Sequence, residues 1–132
     1  MKYLLDTDWV IDALTGQQSA IRPLQGMALD GIAVSMLTLG EVFEGAISIG
    51  QESRLANARA FFAGFTVLNL SEPIMLRFAQ ERCRLRQTGL MIPDMDLLIG
   101  TTALHHGLIL VSRNRRHFGR IEGLALYQAA PT

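Results

Sequence analysis

The amino-acid sequence predicts an α/β fold in which a parallel sheet carries helices on both faces. Short apolar runs alternate with longer helical patterns along the 132 residues, and no Pro/Gly/Ser-rich linker or internal repeat interrupts them. The run Leu108-Ile109-Leu110-Val111 is continuously apolar, which is typical of a strand buried on both faces. At this length we expect residues 1–132 to form a single domain.

The predicted strands are short apolar runs bounded by turn signals. They cover residues 3–5, 32–34, 65–68, 108–111 and 125–127. Helices are predicted where apolar residues recur at i, i+3 and i+4 between start and stop signals. They run from Trp9 to Gly16, Ser35 to Ile47, Glu52 to Ala63, Ser71 to Gly89 and Pro93 to Gly107. In such folds the functional residues gather at the carboxyl ends of the strands.

Composition and charge narrow the class of protein. Apolar residues make up 49% and charged residues 18%, which excludes intrinsic disorder. Twelve basic and twelve acidic residues give zero net charge, so any polyanion must be met by a local patch. The single Cys83 excludes a disulfide framework and a Cys-rich zinc site, and it favours a reducing compartment. Asp6 comes too early for a signal peptide, and no run is long enough to span a bilayer. We therefore expect a cytoplasmic protein.

Five acidic residues follow predicted strands or begin a predicted helix. Asp6 and Asp8 come directly after the first strand, Glu41 lies in the helix after the second, and Asp94 and Asp96 begin the last helix. Asp94 is equally suited to a simple interaction with the helix dipole, whereas Asp96 leads into an apolar face. Carboxylates from three segments at one sheet edge would repel each other unless a cation joins them. Oxygen ligands favour Mg²⁺ or Mn²⁺ over zinc, and two such ions can activate a water for phosphodiester cleavage.

A basic loop follows the most apolar strand. Arg113, Arg115 and Arg116 lie within four residues of each other, with His117 next along the chain. Beside a metal site these arginines could hold RNA phosphates, and a merely solvated loop is the alternative. The pair His105-His106 precedes a helix stop, where a cation suits the last turn.

Four motifs recur in order along the chain: Leu4-Leu5-Asp6-Thr7-Asp8; Ser35 with Leu39-Gly40-Glu41; Asp96-Leu97-Leu98-Ile99; and Leu110-Val111-Ser112-Arg113-Asn114 with His117-Phe118. Together they resemble the PIN-domain ribonucleases, specifically the VapC toxins of bacterial VapBC toxin–antitoxin modules. The resemblance covers essentially the whole chain, and its specificity comes from four motifs in register rather than from any one of them.

The resemblance implies an α/β/α sandwich that cleaves structured RNA as a Mg²⁺- or Mn²⁺-dependent endoribonuclease. It implies that Asp6, Glu41 and Asp96 are catalytic and bind the metal. It further implies that the supporting residues are Thr7, Asp8, Ser35 and Ser112. A homodimer and neutralisation by a cognate VapB antitoxin are implied as well. We expect an amphipathic antitoxin segment to meet apolar helix faces, which carry Trp9, Val10, Leu39 and Phe43.

Two positions depart from the family pattern. Asn114 stands in the loop where the family often has a fourth acid, and its neutral carbonyl oxygen would hold a second metal weakly. Asp94 could partly replace that acid in a supporting role, although it does not share a helix face with Asp96. Gly100 replaces the usual Ala, at a cost of about 1 kcal/mol of helix propensity.

Other classes of function fit part of the pattern. A phosphoacceptor receiver domain has a similar sheet but needs a lysine at the end of a late strand, and a haloacid-dehalogenase-like phosphatase needs its own lysine. Lys2, on the first strand, is the only lysine of the chain. A degenerate PIN-like module that binds RNA or a partner without cleaving stays open, because the fourth acid is missing.

Overall fold

Four parallel strands form the sheet of this protein, whose computed structural model describes residues 1–128. They are β1 (Tyr3–Leu5), β2 (Ile32–Ser35), β3 (Thr66–Leu68) and β4 (Ile109–Val111), in the order β3-β2-β1-β4. In the two central pairings Leu4 lies opposite Ala33 and Leu110. All four coincide with predicted strands. The fifth predicted strand, 125–127, is wrong as a strand, since it reduces to a single parallel bridge between Leu110 and Leu126.

The described residues form seven α-helices. They are α1 (Thr7–Leu14), α2 (Gln18–Met27), α3 (Met36–Ile49), α4 (Glu52–Phe62), α5 (Glu72–Thr88), α6 (Asp94–His106) and α7 (Arg115–Phe118), with a 3₁₀ turn at Ala28–Asp30. Two of the predicted helix starts are confirmed as caps: Ser35 Oγ accepts from the N–H of Leu37, and Ser71 Oγ accepts from that of Ile74. The predicted stop at Gly89 is a left-handed residue with φ 71°. Helices α2 and α7 were not predicted.

The helices cover both faces of the sheet, as the predicted three-layer α/β/α class requires. Alternation along each strand sends Leu5, Val34 and Val111 into a core shared with α1 to α4. Leu4 and Leu110 point to the opposite core, which α5, α6 and the C-terminal segment complete. No helix within residues 1–128 is long and apolar enough to cross a membrane.

Gly100, on α6, is a packing requirement as well as a departure from helix propensity. A Cβ at this position would clash with Ile121 Cδ1 and would lie 3.4 Å from Phe118 Cδ1. Phe118 is fully buried, and Ile121 is 3% exposed. The glycine therefore lets α7 and the segment after it pack directly on α6, and this packing fixes the loop that follows β4.

Candidate active site

The carboxyl ends of β1 and β4 bring two aspartates and a serine together. Asp6, the residue after β1, is 6% exposed, and Ser112, the residue after β4, is equally buried. Ser112 Oγ lies 2.8 Å from Asp6 Oδ2 and 3.4 Å from Asp8 Oδ2. The backbone N–H of Arg113 donates to Asp8 Oδ2 at 2.9 Å. One turn of chain after β4 thus holds both acids that follow β1.

Glu41 approaches the same edge from α3. Thr7 Oγ1, on the first turn of α1, donates to Glu41 Oε1 at 2.8 Å. It also lies 3.2 Å from the hydroxyl of Thr38, which is fully buried between the two helices. Because Thr7 lies between Asp6 and Asp8 in the sequence, this bond ties Glu41 to the N-terminal end of α1, which carries both aspartates.

Asp96 reaches the site from the first turn of α6 and is held by α7. His117 Nδ1 lies 2.7 Å from Asp96 Oδ2, and Asn114 Nδ2 lies 3.5 Å from the same oxygen. Asn114 Oδ1 accepts from the backbone N–H of His117 at 3.2 Å and so caps α7. The carbonyl oxygen that the sequence analysis offered to a second metal is therefore used to begin a helix.

Burial raises the pKa values of both acids after β1, and neighbouring charges raise that of Asp6 further. The pKa of Asp6 is raised from 3.8 to about 7, first by burial, then by the charge of Asp8 and, least, by that of Asp96. Hydrogen bonds from Ser112 and Thr7 oppose the rise. Burial also raises the pKa of Asp8, against its hydrogen bond from the N–H of Arg113. Asp8 Oδ1 is buried and has no hydrogen-bond partner within the described residues.

The donor set suits a hard divalent cation in its chemistry. In Asp6, Asp96 and Glu41, one oxygen accepts from a neighbouring side chain and the other receives no side-chain donor within residues 1–128. Oxygen donors of this kind, with an unpartnered buried oxygen beside them on Asp8, match the preference of Mg²⁺ and Mn²⁺. No group of three or more His, Cys, Asp or Glu side chains in this part of the chain is already arranged to hold a metal ion.

Two predicted site residues have contacts of another kind. Ser35 caps α3 and makes no side-chain bond to the acids within the described residues. Asp94 is exposed and pairs with Arg82 of α5 at 3.0 Å, on another side of α6 from Asp96. The partner of Asp94 in this structure is therefore a basic residue of α5, and its supporting role stays a prediction.

The predicted RNA-binding arginines differ in how much they are engaged. The guanidinium of Arg113 donates to Asp12 Oδ2 at 2.8 Å and to Ser19 at 3.1 Å, and it lies 4.4 Å from the centre of the Trp9 ring. These contacts join the loop after β4 to α1 and α2. Arg115 makes one long bond, 3.4 Å, to a backbone carbonyl. Arg116 is exposed and makes no hydrogen bond or ion pair within residues 1–128.

His117 is the site residue that the sequence analysis did not assign. The available signal was Asn114, three residues before it, since Asn is among the residues preferred at a helix N-cap and its side chain accepts from the N–H three positions on. That spacing predicts a short helix, and the helix turns the His117 ring toward Asp96. The ion pair of Arg113, predicted as an RNA-binding residue, left no signal in the sequence, because its partner Asp12 lies 101 positions away.

An apolar groove lies outside the site, between α1, α3 and α4. It measures about 680 Å³, and its apolar lining includes Ile11, Leu14, Val42, Ala46 and Ile49. Trp9 and Val10, which the sequence analysis placed on a partner-binding face, are 2% and 0% exposed. That expectation is wrong for these two residues, because both pack against the sheet and leave the next turn of α1 at the surface.

Comparisons by family model, by sequence and by structure all match this chain to the same family of proteins. A family model described as the PIN domain matches residues 3–124. The tRNA(fMet)-specific endonuclease VapC of Salmonella typhimurium is 28% identical over 96% of both chains. Ribonuclease VapC2 of Haemophilus influenzae is 30% identical over 94% of this chain and 95% of its own. Among solved structures, a chain of VapBC2 from Rickettsia felis bound to a promoter DNA fragment superposes with a TM-score of 0.89 at 28% identity, covering 96% of this chain and 98% of that one.

Proposed function

Because the chain belongs to the PIN-domain family, as a member of the VapC group, we propose that it is the toxin of a toxin–antitoxin pair and acts as a divalent-metal-dependent endoribonuclease. Relatives named as ribonucleases align over nearly the whole chain. The observation that supports the proposal is that Ser112 holds Asp6 and Asp8 together at the carboxyl ends of β1 and β4. Thr7 ties Glu41 to the same segment, and the charge of Asp96 contributes to the raised pKa of Asp6.

Asp6, Glu41 and Asp96 would hold Mg²⁺ or Mn²⁺, which when bound supplies activation of a water and stabilisation of the leaving oxygen. Ser112 and Thr7 orient two of these carboxylates by donating to one oxygen of each. Asp8 adds negative charge beside Asp6, which strengthens attraction for a cation and disfavours the empty, fully ionised state.

The substrate we propose is structured RNA, held at its phosphates by the exposed Arg116 and, in part, by Arg115. Arg116 supports this because its guanidinium is unengaged within the described residues. One relative carries the name of a tRNA(fMet)-specific endonuclease, so transfer RNA is the first substrate to test. The neutral net charge predicts a modest, salt-sensitive RNA affinity that rests on few phosphate contacts.

Cleavage of a total-RNA pool by antitoxin-free protein tests this function. Wild type is compared with Asp96→Asn, which keeps the shape of the side chain and removes its charge, in Mn²⁺, in Mg²⁺ and in EDTA. Asp30→Asn is the matched control, because Asp30 pairs with Lys2 before β2, away from the proposed site. We expect discrete products that disappear in EDTA and in Asp96→Asn but persist in Asp30→Asn.

A non-catalytic RNA-binding module is the second candidate function, favoured by one observation. Asn114 stands where the family often has a fourth acid, and its Oδ1 caps α7. A folded wild-type protein that shifts RNA in a gel but yields no products with either metal would establish this alternative.

The groove between α1, α3 and α4 is the surface we propose for the apolar segment of a VapB-type antitoxin. Solved structures of related chains are VapBC complexes. Ile11 and Ile49 line the groove while 45% and 51% exposed, so both tolerate substitution without loss of core packing. We expect Ile11→Asp with Ile49→Asp to weaken binding of the neighbouring-gene product at least tenfold, and Leu29→Asp, at a 98% exposed position outside the groove, to leave it unchanged.

We also propose that the protein is cytoplasmic and a homodimer. Met75 and Leu76 lie side by side near the start of α5 and are 40% and 57% exposed. A second copy of the chain would bury these two apolar side chains. Light scattering coupled to size exclusion is expected to give a dimer for wild type and a monomer for Leu76→Glu. A monomeric wild type contradicts the homodimer and leaves the nuclease proposal intact.

A further inference from the structure

His117 contacts the one carboxylate of the proposed site that no threonine or serine holds. Its Nδ1 lies 2.7 Å from Asp96 Oδ2. The His117 ring is 29% exposed and the Asp96 side chain 22%, so the pair lies at the rim rather than inside the core. Phe118, the next residue, is fully buried against α6 and anchors the short helix that carries the ring.

We assign a proton to His117 Nδ1 from its shorter contact, the one with Asp96. A carboxylate oxygen only accepts hydrogen bonds, so a ring nitrogen 2.7 Å away must be the donor. Asn114 Nδ2 lies 2.9 Å from the same ring nitrogen and 3.5 Å from the same carboxylate oxygen. With the proton on Nδ1 the two nitrogens do not bond to each other, and both face Asp96 Oδ2 as the acceptor, His117 at the shorter distance.

This arrangement completes a pattern that the other acids share. Thr7 donates to Glu41 and Ser112 donates to Asp6, leaving one oxygen of each carboxylate without a side-chain donor. His117 gives Asp96 the same division, since its bond fixes Oδ2 and leaves Oδ1 without a side-chain donor within the described residues. Replacing a donor that orients a ligating side chain in this way typically costs about 10- to 100-fold in metal affinity.

We infer that His117 is a positioning residue, which holds Asp96 through an Nδ1–H···Oδ2 bond so that the opposite carboxylate oxygen is presented to a divalent cation. The inference rests on the proposed function of the site. By this inference α7 contributes to metal binding through His117, although the loop after β4 lacks the acid that the family often has there. Asn114 serves the same end indirectly, because its cap on α7 sets the position of the His117 ring.

Calorimetric titration of the apo protein with Mn²⁺ alone, without RNA, tests the inference. The three variants are His117→Ala, His117→Asn and His117→Gln. An Asn side chain places an N–H near the position of Nδ1, whereas a Gln side chain places it near that of Nε2. We expect the Ala and Gln variants to bind Mn²⁺ about tenfold more weakly or worse. The Asn variant is expected to stay within about threefold of wild type, a rescue that loss of packing would not give.

His106→Ala is the matched control. This histidine is exposed at the last turn of α6, about 15 Å along the helix from Asp96. Its replacement is expected to leave Mn²⁺ affinity unchanged. Thermal melting of each variant in EDTA reports folding separately, and His117→Gln keeps the comparison available if His117→Ala does not fold.

Two results would overturn the inference without touching the proposed function. One is equal Mn²⁺ affinity in all three His117 variants while Asp96→Asn abolishes binding. The other is a nitrogen NMR spectrum of metal-free wild type in which the His117 Nδ1 carries no proton. A wild type that neither binds Mn²⁺ nor cleaves RNA would instead refute the proposed function, and the positioning role with it.

Discussion

Replacing Asp6 by Asn is expected to stabilise the metal-free protein, and to do so increasingly as the pH rises. The folded protein raises the pKa of Asp6 from 3.8 to about 7, chiefly through burial and the charge of Asp8. One pKa unit corresponds to about 1.4 kcal/mol, so ionised Asp6 costs the folded state roughly 4 kcal/mol. That is a large share of the 5–15 kcal/mol by which domains are typically stable.

The sign of the effect follows from proton binding. Between pH 4 and pH 7 the folded protein retains the proton on Asp6 while the unfolded chain has lost it, so stability falls as the pH rises through this window. Asn cannot ionise and still offers an oxygen to Ser112. The stability gap between Asp6→Asn and wild type should therefore widen by roughly 2 to 3 kcal/mol between pH 5 and pH 8.

Urea denaturation in EDTA at these two pH values measures the gap directly. Asp30→Asn serves as the control, since Asp30 is half-exposed beside Lys2 and lies outside the site. A gap that is equal at pH 5 and pH 8 would refute the reasoning, because it would mean that Asp6 titrates alike in the folded and unfolded chains. Saturating Mn²⁺ should stabilise wild type at pH 8 far more than the variant, if Asp6 holds the cation as proposed.

Three further predictions concern neighbouring residues. Ser112→Ala should raise the pKa of Asp6 further, because the hydrogen bond from Ser112 lowers it. RNA cleavage by this variant should therefore need a higher pH or a higher Mn²⁺ concentration than cleavage by wild type. Arg116→Ala should raise the KM for RNA and reduce the salt dependence of binding, whereas Arg113→Ala should lower the melting temperature, because its guanidinium is already engaged. Asp94→Asn should retain cleavage within about twofold, and a loss comparable to that of Asp96→Asn would restore its predicted supporting role.

The sheet was predictable because burial restricts its sequence. A strand covered on both faces must be apolar at every position, and the run before Ser112 meets that condition. The acids were predictable for a related reason. Asp6 follows β1 by one residue, so the backbone alone brings it to the sheet edge. In contrast, the predicted strand at 125–127 forms one bridge, to Leu110 of the outer strand β4. Whether a segment pairs with the outer strand of a sheet depends on how it docks there and not on its own sequence alone.

Helix α2 escaped prediction although its sequence carries the pattern. Ala20, Leu24 and Met27 are buried at i, i+4 and i+7, as in any amphipathic helix. Pro23 lies inside the helix, and a proline at that position usually argues for a break. Packing against α1 overrides that preference, and the indole N–H of Trp9 donates to the carbonyl of Ala20 at 3.2 Å. A local rule failed here because a contact from outside the segment decided the outcome.

The carboxylates of the site are fixed by local sequence, whereas its arginines depend on contacts from elsewhere in the fold. An aspartate side chain is short, so the position of its Cα nearly fixes where its charge lies. An arginine has a long, flexible stem, and its charge settles wherever partners are found. Arg113 and Arg116 are three residues apart, yet one is held by Asp12 and Trp9 while the other is exposed. Sequence can therefore place the acids that attract a cation, whereas the residues that attract RNA can be identified only after the ion pairs within the fold are known.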